Sequence, residues 1–331
     1  MVIFGLYSGK LVSRNKVVNI VTRIWQWFMM VSSVSSIAFV LTTGFTASEK
    51  WGFELVFKLA EMVWALASVL DMLLMIRGCY SQNGFLNFYT KLDKMNGCLQ
   101  HLGVSTEDLP PKRQNGFIIG GMVGILTNLA YVYPDLIHTK SGPFHGKRLE
   151  SMNLTTERLI AVRVCYGWAN FVFTAASILV PAYAINVAYL LWCVFDKYNL
   201  FLKKVIQSEE RHFLETIREH RMTHLKLCNL IETANHSLGG IYGITTGVVV
   251  VILLLILYLT SLTIGRPGVA GSLYFGLSFW ILNNALLLIL TVYFTSQVHN
   301  QVRIFSFSSY YIFTFIVKCL VRYLFFSPVT T

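Results

Sequence analysis

Apolar positions in this chain gather into long runs separated by shorter polar stretches. Six runs reach the roughly 20 residues a helix needs to cross the hydrocarbon core of a bilayer. They cover residues 24–45, 53–76, 116–134, 166–195, 243–264 and 273–294. The fourth holds Pro181, which removes a backbone donor and predicts a kink. A seventh candidate, 302–326, is uncharged only from 304 to 317, and Lys318 and Arg322 follow. The expected fold class is therefore all-α: a polytopic membrane helix bundle of six spans with a candidate seventh.

The connection before the fifth run has helical character of its own. In "HLKLCNLIETANHSLGGIYGITTG", from His224, the residues Leu225, Cys228, Ile231, Leu238 and Ile241 recur at helical spacing. Lys226, Asn229, Glu232, Asn235 and His236 fall mostly off that stripe. Upstream, Glu215 and Glu219 with Arg211, Arg218 and Arg221 form an exposed charged surface. Two helices projecting from the fourth and fifth spans are expected to make an anchoring bundle. Leu225, Ile231 and Leu238 would drive assembly there, against another projecting helix or a neighbouring subunit. The chain divides accordingly into a tail (1–23), spans one to four (24–195), anchoring helices (196–242), spans five and six (243–297) and a divergent tail (298–331).

Composition points the same way. Of 331 residues, 55% are hydrophobic and 13% charged, whereas soluble domains carry about a quarter charged residues. The net charge of +11 does not imply a nucleic-acid partner, because its distribution has another explanation. The amino-terminal tail, the second and fourth connections and the segment after the sixth run hold 19 of the 27 Lys and Arg residues. Cytoplasmic loops carry that excess, so the amino terminus is expected inside, in a multi-pass plasma-membrane protein. The basic stretch after the first apolar residues fits no cleavable signal peptide. "NLT" at Asn153 then falls outside, where it can be glycosylated, and "NHS" at Asn235 falls inside. A G-protein-coupled receptor has the reverse orientation, and no "DRY" or "NPxxY" triplet marks the expected places.

Catalytic signatures are not found: no GxSxG, Walker loop, HExxH or Rossmann glycine run. No enzyme and no cofactor is implied. The six cysteines form no CxxC pair, and they read as small packing residues. His220 and His224 share a helix face but lack a third metal ligand, so no metal site is expected. Glu54, Lys58 and Glu61 lie in the second span at a spacing that lets the lysine pair with both acids. A small-molecule pocket would use the outer halves of the spans, which offer Trp64, Asn128, Tyr131, Trp168, Asn170, Phe171, Tyr274, Trp280, Asn283 and Asn284. Any one of these aromatics can equally serve in packing or an interfacial belt. The amides are the more informative, since an amide in lipid needs a partner.

The stretch from His224 into the fifth span resembles the insect gustatory receptor family. There a His or Tyr, Leu-rich turns and an Asn precede a small-residue helix start. His224, Leu225, Leu227, Leu230, Asn235, Leu238 and Gly239 hold the corresponding kinds of position. Residues 20–297 follow the family's layout, with its inside amino terminus, long fourth connection and short fifth one. The resemblance implies a ligand-gated cation channel, a homo- or hetero-tetramer with related subunits, responding to a small-molecule tastant in a lipid membrane. The family's last span lines the pore and ends in Thr-Tyr, five apolar residues and Gln-Phe. Here "TVYFTSQ" at Thr291 lies in the sixth run and "YYIFTFIVKCL" at Tyr310 lacks the Gln. The tail is thus expected to be shortened or replaced. Two alternatives stay open: a non-conducting member that assembles with or regulates others, and a secondary transporter, whose inverted repeat would need a second break matching Pro181.

Overall fold

The apolar runs form helices. The computed structural model describes residues 16–44, 52–82, 84–102, 104, 116, 119–130, 155–207, 213–264 and 271–326. Its helices are α1 Lys16–Gly44, α2 Phe53–Tyr80, α3 Phe85–His101, α4 Ile119–Ala130, α5 Thr156–Gln207, α6 Phe213–Thr263 and α7 Gly271–Phe326, and no strand occurs among the described residues. Four of them contain stretches long and apolar enough to cross a membrane: Leu55–Tyr80, Ile160–Val205, Arg221–Thr263 and Leu273–Val302. The 24–45 run lies on α1. Of the 116–134 run, residues 119–130 form α4, whose described length falls short of a crossing.

Three helices are far longer than a bilayer is thick. At 52, 51 and 56 residues, α5, α6 and α7 extend about 75–85 Å at 1.5 Å per residue, against a hydrocarbon core of about 30 Å. The charged 213–223 stretch joins the apolar 243–264 run without a break. α5 likewise runs on through Pro181. The sequence leads one to expect a separate element at 302–326, but these residues continue α7. The reason is local: nothing from Thr291 to Phe326 is Gly or Pro, so no residue interrupts the hydrogen-bond ladder.

α5 is the central column. Of its most apolar window 61% is buried, against 17% for α7, and α5 packs on α1, α2, α6 and α7. Polar ties fix these contacts. Ser68 Oγ on α2 donates to the Phe173 carbonyl at 3.2 Å, Trp168 Nε1 donates to Ser32 Oγ on α1 at 2.7 Å, and Tyr242 OH on α6 donates to the Ala184 carbonyl at 2.6 Å.

α3 was not anticipated as a helix, and it explains what covers the apolar stripe of α6. Phe85, Phe88, Leu92, Met95 and Leu99 recur at steps of three and four and are all buried. They share one core with Leu227, Leu230, Ala234, Leu238 and Ile241 of α6 and Phe195, Tyr198 and Leu202 of α5. A tight turn brings α3 back along the bundle. A Cβ on Gly84 would collide with the Gly78 carbonyl oxygen, and one on Gly78 with the Phe85 ring. Both positions therefore need glycine for close approach.

The packed face of α6 is offset from the one its sequence suggests. Leu238 is buried at 1% exposure and Ile231 sits at the margin of the core, whereas Leu225 is 53% exposed. The stripe is covered within the chain, and Leu225 lies outside it. Leu230→Ala should then destabilise the chain by about 2–5 kcal/mol. Leu225→Ala should stay within about 0.5 kcal/mol. Thermal unfolding in detergent separates the two, and equal shifts would contradict this assignment.

Candidate functional site

Five helices converge on a cavity of about 120 Å³. α2 supplies Phe57, Glu61, Trp64 and Asp71, α4 supplies Asn128, and α5 supplies Asn170, Thr174, Ser177 and Pro181. α6 supplies Thr245 and a wall of Ile and Val, and α7 supplies Trp280, Asn283 and Asn284. Cavities near this size, about 150 Å³, hold a benzene-sized molecule.

One hydrogen-bond chain organises the walls. Asn128 Nδ2 donates to Thr174 Oγ1 at 2.7 Å, and Asn128 Oδ1 accepts from Trp280 Nε1 at 3.0 Å. A single amide therefore ties α4, α5 and α7. Two further amides are held by their own helices: Asn284 Nδ2 donates to the Trp280 carbonyl at 2.8 Å and Asn170 Nδ2 to the Tyr166 carbonyl at 3.1 Å. The Trp280 ring stacks on Phe57 with centroids 6.1 Å apart. Trp64 meets Phe173 edge-on at 5.9 Å.

Other polar groups are left open to an occupant. Asp71 is 4% exposed, and its Oδ1, like Thr245 Oγ1, is buried with no hydrogen-bond partner among the described residues. Pro181 has no N–H for the Ser177 carbonyl one turn earlier. Buried polar atoms are normally satisfied by protein, water or ligand. The cavity thus offers a carboxyl and a hydroxyl inside apolar walls, which suits a compact molecule carrying hydrogen-bond donors.

Six of the ten anticipated pocket residues line this one cavity: Trp64, Asn128, Asn170, Trp280, Asn283 and Asn284. Three do not. Trp168 ties α5 to α1 and packs on Phe171, with centroids 5.7 Å apart, and Phe171 rests against the main core. Tyr274 OH donates to the Thr263 carbonyl at 2.7 Å, linking the end of α6 to α7. Tyr131 and Asn153 lie outside the described residues, as do the side chains of Glu54, His220, Lys318 and Arg322. Among the described residues no group of three or more His, Cys, Asp or Glu could hold a metal. His224 Nε2 instead lies 3.1 Å from Cys228 Sγ.

Asp71, Thr174, Ser177 and Thr245 also line the cavity and are not among the ten residues the sequence suggests. Asp71 had a usable signal, a lone acid within "ASVLDMLLMI", since an ionisable residue in an apolar span is a candidate by default. The hydroxyls had none, because Ser and Thr bond their own helix readily and are common in such segments. No protein-family model matches the chain, and no curated protein matches it.

Asn128→Leu should destabilise the fold by about 1–3 kcal/mol, because it strands the Thr174 hydroxyl and the Trp280 N–H in an apolar site. Adding Trp280→Phe should then cost less than it does in the parent chain. A double-mutant cycle from unfolding midpoints measures this, and strict additivity would mean the 3.0 Å contact contributes nothing.

Proposed function

We propose that this chain is a plasma-membrane chemoreceptor subunit of the gustatory-receptor type, which binds a small molecule in the five-helix cavity and belongs to a ligand-gated cation channel. The cavity carries the reading. It gathers amides, a carboxyl and aromatic rings from five helices at one place, which is how small-molecule sites are built. The likeness of the His224–Gly239 stretch to that family supports it. The chain crosses the bilayer six times with its amino terminus in the cytoplasm, on the strength of the basic bias. It assembles as a homo- or hetero-tetramer with related subunits. The apolar, exposed face of α7, including Leu282, Leu286 and Ile289, is there to meet lipid or a neighbour.

A second reading keeps the binding and drops the conduction. The unbroken course of α7 through residue 326 favours it, because a separate last span is what lines the pore in the family. In this reading the chain binds ligand and depends on related subunits for current.

Orientation is testable with terminal tags on intact cells. An amino-terminal tag should stay hidden from antibody until permeabilisation, and endoglycosidase sensitivity should vanish with Asn153→Gln. Surface labelling of the tag would overturn the proposed topology.

Ligand contact is testable by dose response in cells co-expressing related subunits. Asn283→Leu should shift the effective concentration a few-fold, matching the roughly 0.5–1.5 kcal/mol net value of one hydrogen bond. Asp71→Asn should shift it as well, because the amide replaces one acceptor oxygen of the carboxyl with a donor. Unchanged responses at normal surface expression in both variants would remove the cavity from ligand binding. On the second reading the chain expressed alone forms oligomers without current, and a robust ligand-gated cation current from it would rule that reading out.

A further inference from the structure

A second recess lies between α3 and the lower part of α6. It is larger, about 800 Å³, and its character is different. Lys91, Lys94 and His101 line it from α3, and Lys226, Thr223 and Asn229 from α6. No carboxylate lines it among the described residues. Of the acids whose side chains are described, those nearest in sequence, Asp93 and Glu232, are exposed and do not line it.

Among the described side chains, Lys91 and Lys226 meet only neutral groups. Lys91 Nζ donates to Asn229 Oδ1 and Thr233 Oγ1, both at 2.7 Å. Lys226 Nζ donates to Cys98 Sγ at 3.2 Å, and a thiol sulfur is a weak acceptor. Each ammonium carries three donors, so unused donors remain on both. Three like charges around one recess repel each other, and this chain supplies no described counter-charge there. Gly97 adds room, since a Cβ on it would meet nothing within 4 Å.

We propose that this recess binds a soluble polyphosphate, such as a nucleotide or an inositol polyphosphate, outside the membrane. Phosphates match it because they bring several charges and many acceptor oxygens to one place. A lipid headgroup has the same chemistry, but the geometry disfavours it. From Asn229 to Gly243, where the apolar run of α6 begins, the helix covers about 21 Å at 1.5 Å per residue. The polar layer of a bilayer leaflet is only about 5–8 Å deep. A tilt of about 40°, the upper end for crossing helices, still leaves the recess beyond it. The anion would therefore arrive from solution.

The test is calorimetric titration of the purified full-length chain, in detergent, with inorganic tripolyphosphate as probe. Saturable one-to-one binding is expected, weakening with added salt as exposed charge contacts do. Lys94→Gln with Lys226→Gln should reduce affinity about ten-fold or more, in line with two charge-assisted contacts. Gly97→Gln, which fills the recess without altering charge and suits a helix better than glycine, should reduce it as well. Two outcomes overturn the proposal in detergent: no saturable binding, or equal binding by the parent and both variants. A third arm uses the chain in phosphatidylcholine nanodiscs with and without a phosphatidylinositol bisphosphate. Undiminished tripolyphosphate binding beside that lipid supports a soluble ligand. Its loss would assign the recess to the lipid headgroup and overturn the soluble source.

Discussion

An apolar stripe on a helix that runs past its neighbours has to be covered, and here the stripe is Leu227, Leu230, Ala234, Leu238 and Ile241. α6 is 51 residues long, so its amino-terminal half extends well beyond any bilayer contact. α3 covers that half. Its buried residues repeat at the same three-and-four spacing, which lets the two stripes interlock. This demand sets much else. It requires α2 to reverse direction within a few residues, hence the glycine approach of Gly78 and Gly84. It also places Lys91 and Lys94 opposite Lys226, so the basic recess follows from how the apolar faces meet.

The same logic, with the sign of polarity reversed, governs the upper bundle. Apolar contacts between helices there are nearly interchangeable, because one branched side chain packs much like another. Directional bonds are not interchangeable. Asn128 can satisfy Thr174 and Trp280 together only in one relative setting of α4, α5 and α7. A Cβ at Gly121 or Gly124 would make only ordinary contact with Leu179 and Ile178, so the amide bonds and not the glycines fix that setting. A polar chain of this kind fixes register where packing alone would leave it loose. The cavity is what remains beside it, with Asp71 and Thr245 facing space rather than one another.

Much of this was legible from periodicity, and the misses share a cause. Long apolar runs announce themselves, so each of the six coincides with helix wherever the structure describes it. α3 is hard to see because residues 77–115 lie as a connection between two such runs, although "FLNFYTKLDKMNGCLQH" carries a clear amphipathic repeat. The stripe of α6 was displaced for a related reason. Leu225, Leu227 and Leu230 are all apolar, and sequence alone does not say which pair of faces the partner will choose. Once α3 is present, Leu227 and Leu230 are chosen and Leu225 is left outside at 53% exposure. Amides were found because they are conspicuous in an apolar run. Thr174 and Thr245 were not, because their hydroxyls have a ready acceptor in their own helix and gain meaning only from the neighbours that folding brings.

The two recesses stand on one continuous helix. Asn229 lines the lower one and Thr245 the upper one, and between them α6 has no break. Tyr242 pins the intervening turn to the Ala184 carbonyl of α5 at 2.6 Å, and Leu238 and Ile241 are buried in the main core. A rigid element held at its middle transmits displacement as rotation about that point. Ligands bound above and below would therefore bias the same helix, and any coupling between them would be reciprocal by linkage. The charged lower helix continuous with the apolar upper one is thus more than an anchor. It joins the basic recess to the apolar cavity through one unbroken helix.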